Sequence, residues 1–194
     1  HSNYSFQEGA SSVEELLARA RELGHLALAL TDHDNLCGAM HFAQVARSLD
    51  LQAITGAEVT LKDGSHLTLL AETRQGYRNL CNLLSYSYIT GGRRTPGLDP
   101  RHLPELAEGL ILLTGCRKGP VSSLLAEGRP EEAEGALRQY LDWFGTANVF
   151  VELQQNLVQG DTQRNRRLIE LARGLGVGVV ATNNVHYHVP ERHR

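Results

Sequence analysis

The feature that most constrains this chain is an alternation of short apolar runs with longer amphipathic stretches. Runs at 26–30, 52–61, 66–71, 110–114, 149–153 and 177–181 have the length and composition of strands. Between them, segments 13–23, 38–49, 76–88, 120–126, 130–144 and 161–175 carry helical spacing. In 38–49, for example, Ala39, Phe42, Ala43 and Ala46 recur at intervals of three and four. Ser11 and Ser12 each precede a glutamate by three residues, the pattern of a capping box, and Pro130 suits a first helical turn. Strands alternating with helices build βα units, so the expected class is α/β with a mostly parallel sheet, closed into a barrel. Asp63-Gly64 predicts a hairpin that interrupts this regularity.

Composition narrows the function. A chain of 194 residues with 41% hydrophobic and 21% charged residues supports one folded domain and excludes intrinsic disorder. A net charge of −3 excludes a strongly basic nucleic-acid footprint over the whole chain. The longest apolar runs are far too short to span a bilayer, so no membrane partner is expected. Cys37, Cys81 and Cys116 are odd in number and form no CxxC pair, which favours a reducing, cytoplasmic setting over a disulfide scaffold. The unusual count is nine histidines, which points to metal. The last residues add no closing element, as at a domain boundary within a longer chain.

Residues with ligand chemistry cluster at predicted strand ends. Asp32 and His33 follow the first strand, Glu58 sits late in the second, Cys116 follows the fourth, and Asn184 and His186 follow the sixth. In α/β barrels the carboxyl ends of the strands form one rim, where these side chains would meet. Imidazole, carboxylate and thiolate together suit zinc, manganese or iron, and the mixture of hard and soft donors suggests more than one ion. Such ions can bridge a phosphoryl oxygen and assist in-line displacement. Plainer readings stand beside these. His33 can be a solvated loop histidine, and Cys116 a small buried hydrophobe. Cys37 and Cys81 fall in helical apolar patterns and read as core. Asp32 either orients a neighbouring histidine or caps the following helix. Glu152, in an apolar strand, reads as half of a salt bridge. Arg117-Lys118 either receives a phosphate or forms a solvated loop pair. His25, His41, His102 and His193 read as structural or surface residues.

The motifs His1-Ser-Asn-Tyr-Ser-Phe-Gln-Glu-Gly9, Leu30-Thr-Asp-His-Asp34, Gly56-Ala-Glu58, His66-Leu-Thr-Leu-Leu70, Gly115-Cys116 and Ala181-Thr-Asn-Asn-Val-His-Tyr187 occur in the order of a PHP (polymerase and histidinol phosphatase) domain. The resemblance covers the whole chain. Gly76-Tyr-Arg-Asn-Leu-Cys81 and Phe150-Val-Glu-Leu-Gln154 are similar, more narrowly, to the PHP domain of bacterial C-family DNA polymerases, meaning DNA polymerase III alpha subunits and their error-prone relatives. The resemblance implies a distorted, TIM-like (β/α)7 barrel holding one to three divalent ions, zinc or manganese, at its rim. Residues 1–194 would form a single PHP domain of a larger polymerase chain. The implied ligands are His1, Glu8, His33, Glu58, His66, Cys116 and His186. Asn184 falls where the family has aspartate, and the family's opening histidine would lie two residues before His1. Implied functions are a metal-dependent 3′→5′ exonuclease acting on DNA ends, impaired by these departures, or a non-catalytic docking domain of the polymerase. A histidinol-phosphate-type phosphatase would share the site. The implied partners are DNA, through the polymerase, and the polymerase core domains.

Overall fold

The computed structural model describes residues 1–6, 8–92 and 94–192; His193 lies outside them. Six strands form one sheet in sequence order: β1 (Ala27–His33), β2 (Gln52–Thr60), β3 (His66–Ala71), β4 (Leu110–Leu113), β5 (Val149–Gln154) and β6 (Gly178–Thr182). The helices are α1 (Val13–Glu22), α2 (Ala39–Ser48), α3 (Arg74–Gly91), α4 (Pro120–Ala126), α5 (Pro130–Phe144) and α6 (Asp161–Leu175). Local chemistry explains several boundaries. Ser12 and Glu15 form a reciprocal capping box at the start of α1, and the Thr73 side chain caps α3.

The β1–β2, β4–β5 and β5–β6 pairs are parallel, whereas β3 runs antiparallel to both β2 and β4. The cause is the turn predicted at Asp63-Gly64. Gly64 adopts φ +83°, and Asp63 Oδ1 accepts hydrogen bonds from the Ser65 backbone and hydroxyl. A short turn of this kind joins antiparallel neighbours, and only longer crossovers return a strand in parallel.

Helices cover the outer face of the curled sheet. The larger core packs α3, α4, α5 and α6 against β2–β5, with Leu67, Leu69, Leu83, Leu110, Leu112, Leu137 and Leu168 essentially inaccessible. A smaller core of Val13, Leu17, Leu30, Phe42, Ala46 and Leu51 joins α1 and α2 to β1. Burying one such leucine contributes about 1.5–3 kcal/mol.

The α/β class and element order match expectation, but the closed seven-stranded barrel is not what the described residues form. They make a half-barrel, with β1 and β6 as edges and no ladder between them among the described residues. The amino-terminal segment crosses this seam: the His1 amine donates to Val185 O (2.7 Å) and Ala10 N to His186 O (2.8 Å). Below it lies a cavity of about 530 Å3, lined by Leu16 and Ala20 of α1 and residues of β1 and β6, and reaching His1 and Glu58. Two further expectations are corrected. Cys37 is exposed, because it precedes the first turn of α2 instead of facing the core, and Cys81 is half-buried.

Candidate metal centre

The parallel β1–β2 register sets His33 against Glu58, and the hairpin sets Glu58 against Thr68. His66, two residues before Thr68, therefore shares a face with Glu58 as its diagonal neighbour. Gly115 brings in the fourth strand's contribution. Its φ is +84°, and a Cβ there would sit 2.2 Å from His66 O, so only glycine permits the turn that delivers Cys116.

Glu58 is the hub. Its Oε2 lies 2.9 Å from His1 Nε2, and its Oε1 lies 2.5 Å from His66 Nδ1 and accepts the Cys116 thiol at 3.6 Å. Asn184 Oδ1 is 3.2 Å from the same His1 nitrogen. The rings form a row: His186 stacks on His1 with centroids 4.7 Å apart, and His33 meets His66 edge-on at 4.6 Å. Glu8 Oε2 is 2.7 Å from His33 Nδ1. The rim thus brings together His1, Glu8, His33, Glu58, His66, Cys116, Asn184 and His186. Of the remaining expected site residues, Asp32 lies just behind this row. Arg117 is half exposed, its Nε 3.9 Å from Asp161 Oδ1 at the start of α6, and no contact joins it to the histidines among the described residues.

Two carboxylate–hydroxyl–imidazole relays orient the histidines. Buried Asp32 accepts hydrogen bonds from Ser2 N (2.6 Å), Ser2 Oγ (2.8 Å) and Ser5 Oγ (2.8 Å). With its only proton committed to Asp32, the Ser5 hydroxyl must accept from His1 Nδ1 (3.1 Å), which leaves His1 Nε2 facing Glu58. Asp34 repeats the device: it accepts from Thr60 Oγ1 (2.7 Å), so Thr60 accepts from His33 Nε2 (2.8 Å) and His33 Nδ1 faces Glu8. Sequence reasoning gave Asp32 a choice of roles and missed Asp34, Ser5 and Thr60. The flanking of His33 by two aspartates was the available clue.

The electrostatics follow from this packing. Burial opposes charge on Glu58, yet hydrogen bonds from His1 and His66 hold its carboxyl far below the usual range. Burial alone would lower His66, but Cys116 and Glu58 carry it up to about 9. Burial likewise opposes a charge on His1, and the Glu58 contact outweighs it, raising the pKa. His186 moves down, through burial and the positive charge beside it on His1. Negative charge is thus concentrated on one carboxylate ringed by nitrogen donors.

The donor set fits a divalent transition metal. Ligating atoms of His33, Glu58 and His66 lie within 4.8 Å of one another, close to the spacing of ligands sharing one ion. Imidazole and carboxylate suit zinc and manganese alike.

Glu152, expected in a salt bridge, has no cationic partner among the described residues. Its Oε1 accepts from Gln154 Nε2 (2.9 Å) and Thr182 Oγ1 (2.5 Å), and Oε2 from Thr68 Oγ1 (3.4 Å). Hydroxyl and amide donors on three strands replace the expected ion pair.

Residues 1–156 match the PHP domain. The error-prone DNA polymerase of Symbiobacterium thermophilum is 41% identical over 98% of this chain, and the DNA polymerase III subunit alpha of Treponema pallidum 42% identical over 96%. The chain spans 19% and 17% of the length of those two proteins. Among solved structures, a Bifidobacterium adolescentis protein predicted to be a metal-dependent phosphoesterase superposes with TM-score 0.62 at 12% identity, over 94% of this chain and 84% of its own. Endonuclease Q, bound to a 27-mer duplex with an abasic lesion at its active site, superposes with TM-score 0.59 at 15% identity, over 98% of this chain and 48% of its own. On the match across residues 1–156, and on identity above 40% along almost its whole length to bacterial replicative and error-prone polymerases, the chain belongs to the PHP domain family.

Proposed function

We propose that the chain is a metal-dependent phosphoesterase domain of a bacterial DNA polymerase, acting on DNA 3′ ends as a 3′→5′ exonuclease. The observation that carries this reading is the convergence of His33, Glu58 and His66 on a spacing suited to one ion, within a ring of further donors. His1, Glu8, Cys116 and His186 complete the ligand set, Asn184 is its weakest member, and one to three zinc or manganese ions would occupy it. The same reading takes the half-barrel as part of a distorted (β/α)7 barrel.

When bound, divalent ions supply Lewis acidity toward a phosphoryl oxygen. The chain's own residues do the rest. Glu58 concentrates negative charge where cations must be held. The Ser5 and Thr60 relays fix which ring nitrogen of His1 and His33 faces inward. His186 donates Nδ1–H to Glu8 O (3.1 Å), which leaves the Nε2 lone pair for an ion, and its lowered pKa favours the neutral ring that ligation requires. Asn184 supplies a neutral amide where the family pattern has aspartate, so retention of closely spaced ions is weakened and the activity of this chain is low.

The test is a 5′-labelled oligonucleotide incubated with the protein and manganese. A ladder shortened stepwise from the 3′ end, abolished by EDTA and increased by Asn184→Asp, is expected. Phosphate release from a small monoester without shortening of DNA would favour a histidinol-phosphate-type phosphatase. Metal uptake with neither activity would favour a non-catalytic docking domain.

A further inference from the structure

Helix α3 carries a surface whose charge is opposite in sign to that of the chain. Across residues 73–98 there is no aspartate or glutamate, whereas Arg74, Arg78, Arg93 and Arg94 all fall there, in a chain of net charge −3. Arg74, Arg78 and Arg94 are exposed and have no carboxylate partner among the described residues, unlike Arg19, Arg129 and Arg138, which pair with neighbouring glutamates. Glu72 and Glu108 flank the amino-terminal end of α3, and among the described residues neither pairs with an arginine.

Aromatic side chains interleave with the arginines. Tyr77, Tyr86 and Tyr88 are all exposed on α3. Tyr86 stacks on His102 with ring centroids 4.6 Å apart and planes 10° from parallel, a platform already assembled. The intervening exposed positions are Asn82, Ser85 and Thr90, and Ile89 is the single exposed aliphatic residue of the helix. A protein interface of useful strength is built around a contiguous apolar centre. This stripe has none, but it has what a single-stranded polynucleotide requires: cations for phosphates and π-faces for bases.

The stripe also ends near the metal rim. At the carboxyl-terminal turn of α3, Ser87 O accepts from Gly97 N (3.2 Å), and the next residue, Leu98, donates its N–H to Thr60 O (2.8 Å). Thr60 is the residue whose hydroxyl orients His33. From Arg74 to Tyr88 the helix rises about 21 Å, the span of a few nucleotides.

We propose that the exposed face of α3 that carries Arg74, Arg78 and Tyr86 is a track for single-stranded nucleic acid leading to the metal rim. The arginines hold the phosphates, and Tyr86, backed by His102, stacks a base. The destination of the track rests on the phosphoesterase reading; binding to the track does not.

The experiment measures binding of a fluorescein-labelled oligothymidylate of about twelve nucleotides by anisotropy, in EDTA, over a series of salt concentrations. For the wild type, log K falls linearly with log salt. The Arg74→Ala/Arg78→Ala double variant is expected to lower the slope by about 1.4, since each phosphate contact to a single strand contributes about 0.7. Tyr86→Ala is expected to weaken binding about tenfold, with Tyr86→Phe retaining wild-type affinity because it keeps the stacking face. All three substituted side chains are exposed, and a thermal melt of each variant checks the fold. An unchanged slope in the double variant, or unchanged affinity in Tyr86→Ala, overturns the proposal. So does a wild-type dimer that Tyr86→Ala disperses, which would make the stripe a protein interface. Oligonucleotide binding through these residues by a chain that takes up no zinc or manganese would defeat the phosphoesterase reading and leave the track standing.

Discussion

Glu58 and Glu152 are both strand glutamates inside the half-barrel, and each is 6% exposed. Their surroundings differ in kind. Glu58 faces two histidines and a thiol, groups that carry a proton or give it up to a metal. Glu152 faces two threonine hydroxyls and an amide, which neither titrate in the physiological range nor compete for a transition metal. Burial of a carboxylate alone therefore does not mark a metal site. The partners that stabilise its charge do: exchangeable cationic donors around Glu58, fixed neutral donors around Glu152. On the proposed reading Glu58 is the centre of the metal site, whereas Glu152 ties β3, β5 and β6 together.

The largest effect that would break this contrast is on metal affinity. Glu58→Gln should reduce zinc or manganese affinity by at least about 100-fold, the upper range for disturbing groups around a bound metal. Glu152→Gln should leave it unchanged. In the metal-free protein Glu58→Ala should cost about 3–5 kcal/mol, because two histidines lose their buried counter-charge. Glu152→Gln should cost about 1–3 kcal/mol, the penalty of mismatched buried hydrogen bonds. Calorimetric titration and denaturant unfolding separate the two pairs of outcomes. Equal metal affinities in Glu58→Gln and Glu152→Gln would erase the distinction.

Metal itself should act next most strongly. A ligand at about 100 times its Kd stabilises the native state by about 2.7 kcal/mol. For a domain of this size that raises the melting temperature by about 5–10 °C. A melt unchanged between EDTA and added zinc or manganese would contradict an ion held at Glu58.

The pH dependence sharpens the comparison further. His66 is raised from 6.5 to about 9, so its contact with Glu58 contributes stability fully below pH 6.5 and loses it as pH rises through about 9. The metal-free protein should therefore weaken across that window. Metal ligation requires the neutral ring, so stabilisation by metal should grow as pH rises through the same range. Unfolding midpoints measured in EDTA and in zinc should diverge with increasing pH. Parallel curves would remove His66 from the ligand set. Glu152→Gln should leave this divergence intact.

The smallest effect concerns Asn184. It occupies the left-handed region at φ +46°, which asparagine and aspartate both tolerate, so Asn184→Asp adds a charge beside His1 without a backbone penalty. Metal affinity should rise about tenfold. A decrease would place Asn184 outside the site.

Much of the fold was legible because hydrophobic period and turn residues act locally. Strand and helix positions, the Asp63-Gly64 turn and the Ser12–Glu15 cap all follow from neighbours in sequence. What was not legible depends on register. β1 continues through Thr31, Asp32 and His33, which read as loop because they are polar; their backbone is ordered by the ladder to β2, which also sets His33 against Glu58. His66 reached the right face only through the hairpin pairing. Ser5 and Thr60 carry no sequence pattern of their own, since a hydroxyl becomes a relay only when the fold sets a carboxylate on one side and an imidazole on the other. Glu152 was misjudged for the same reason: its neutral partners come from strands distant in sequence. Closure of the barrel is not legible from local pattern, since six strands can curl without pairing their edges, as β1 and β6 do among the described residues.

The most direct test of the account is the metal content of the purified protein after reconstitution with zinc or manganese and exhaustive buffer exchange, measured by plasma mass spectrometry beside Glu58→Gln and Glu152→Gln. The account predicts at least one equivalent retained by the wild type and by Glu152→Gln, and loss of that metal from Glu58→Gln. No retained metal in the wild type, or equal retention in Glu58→Gln, would contradict it.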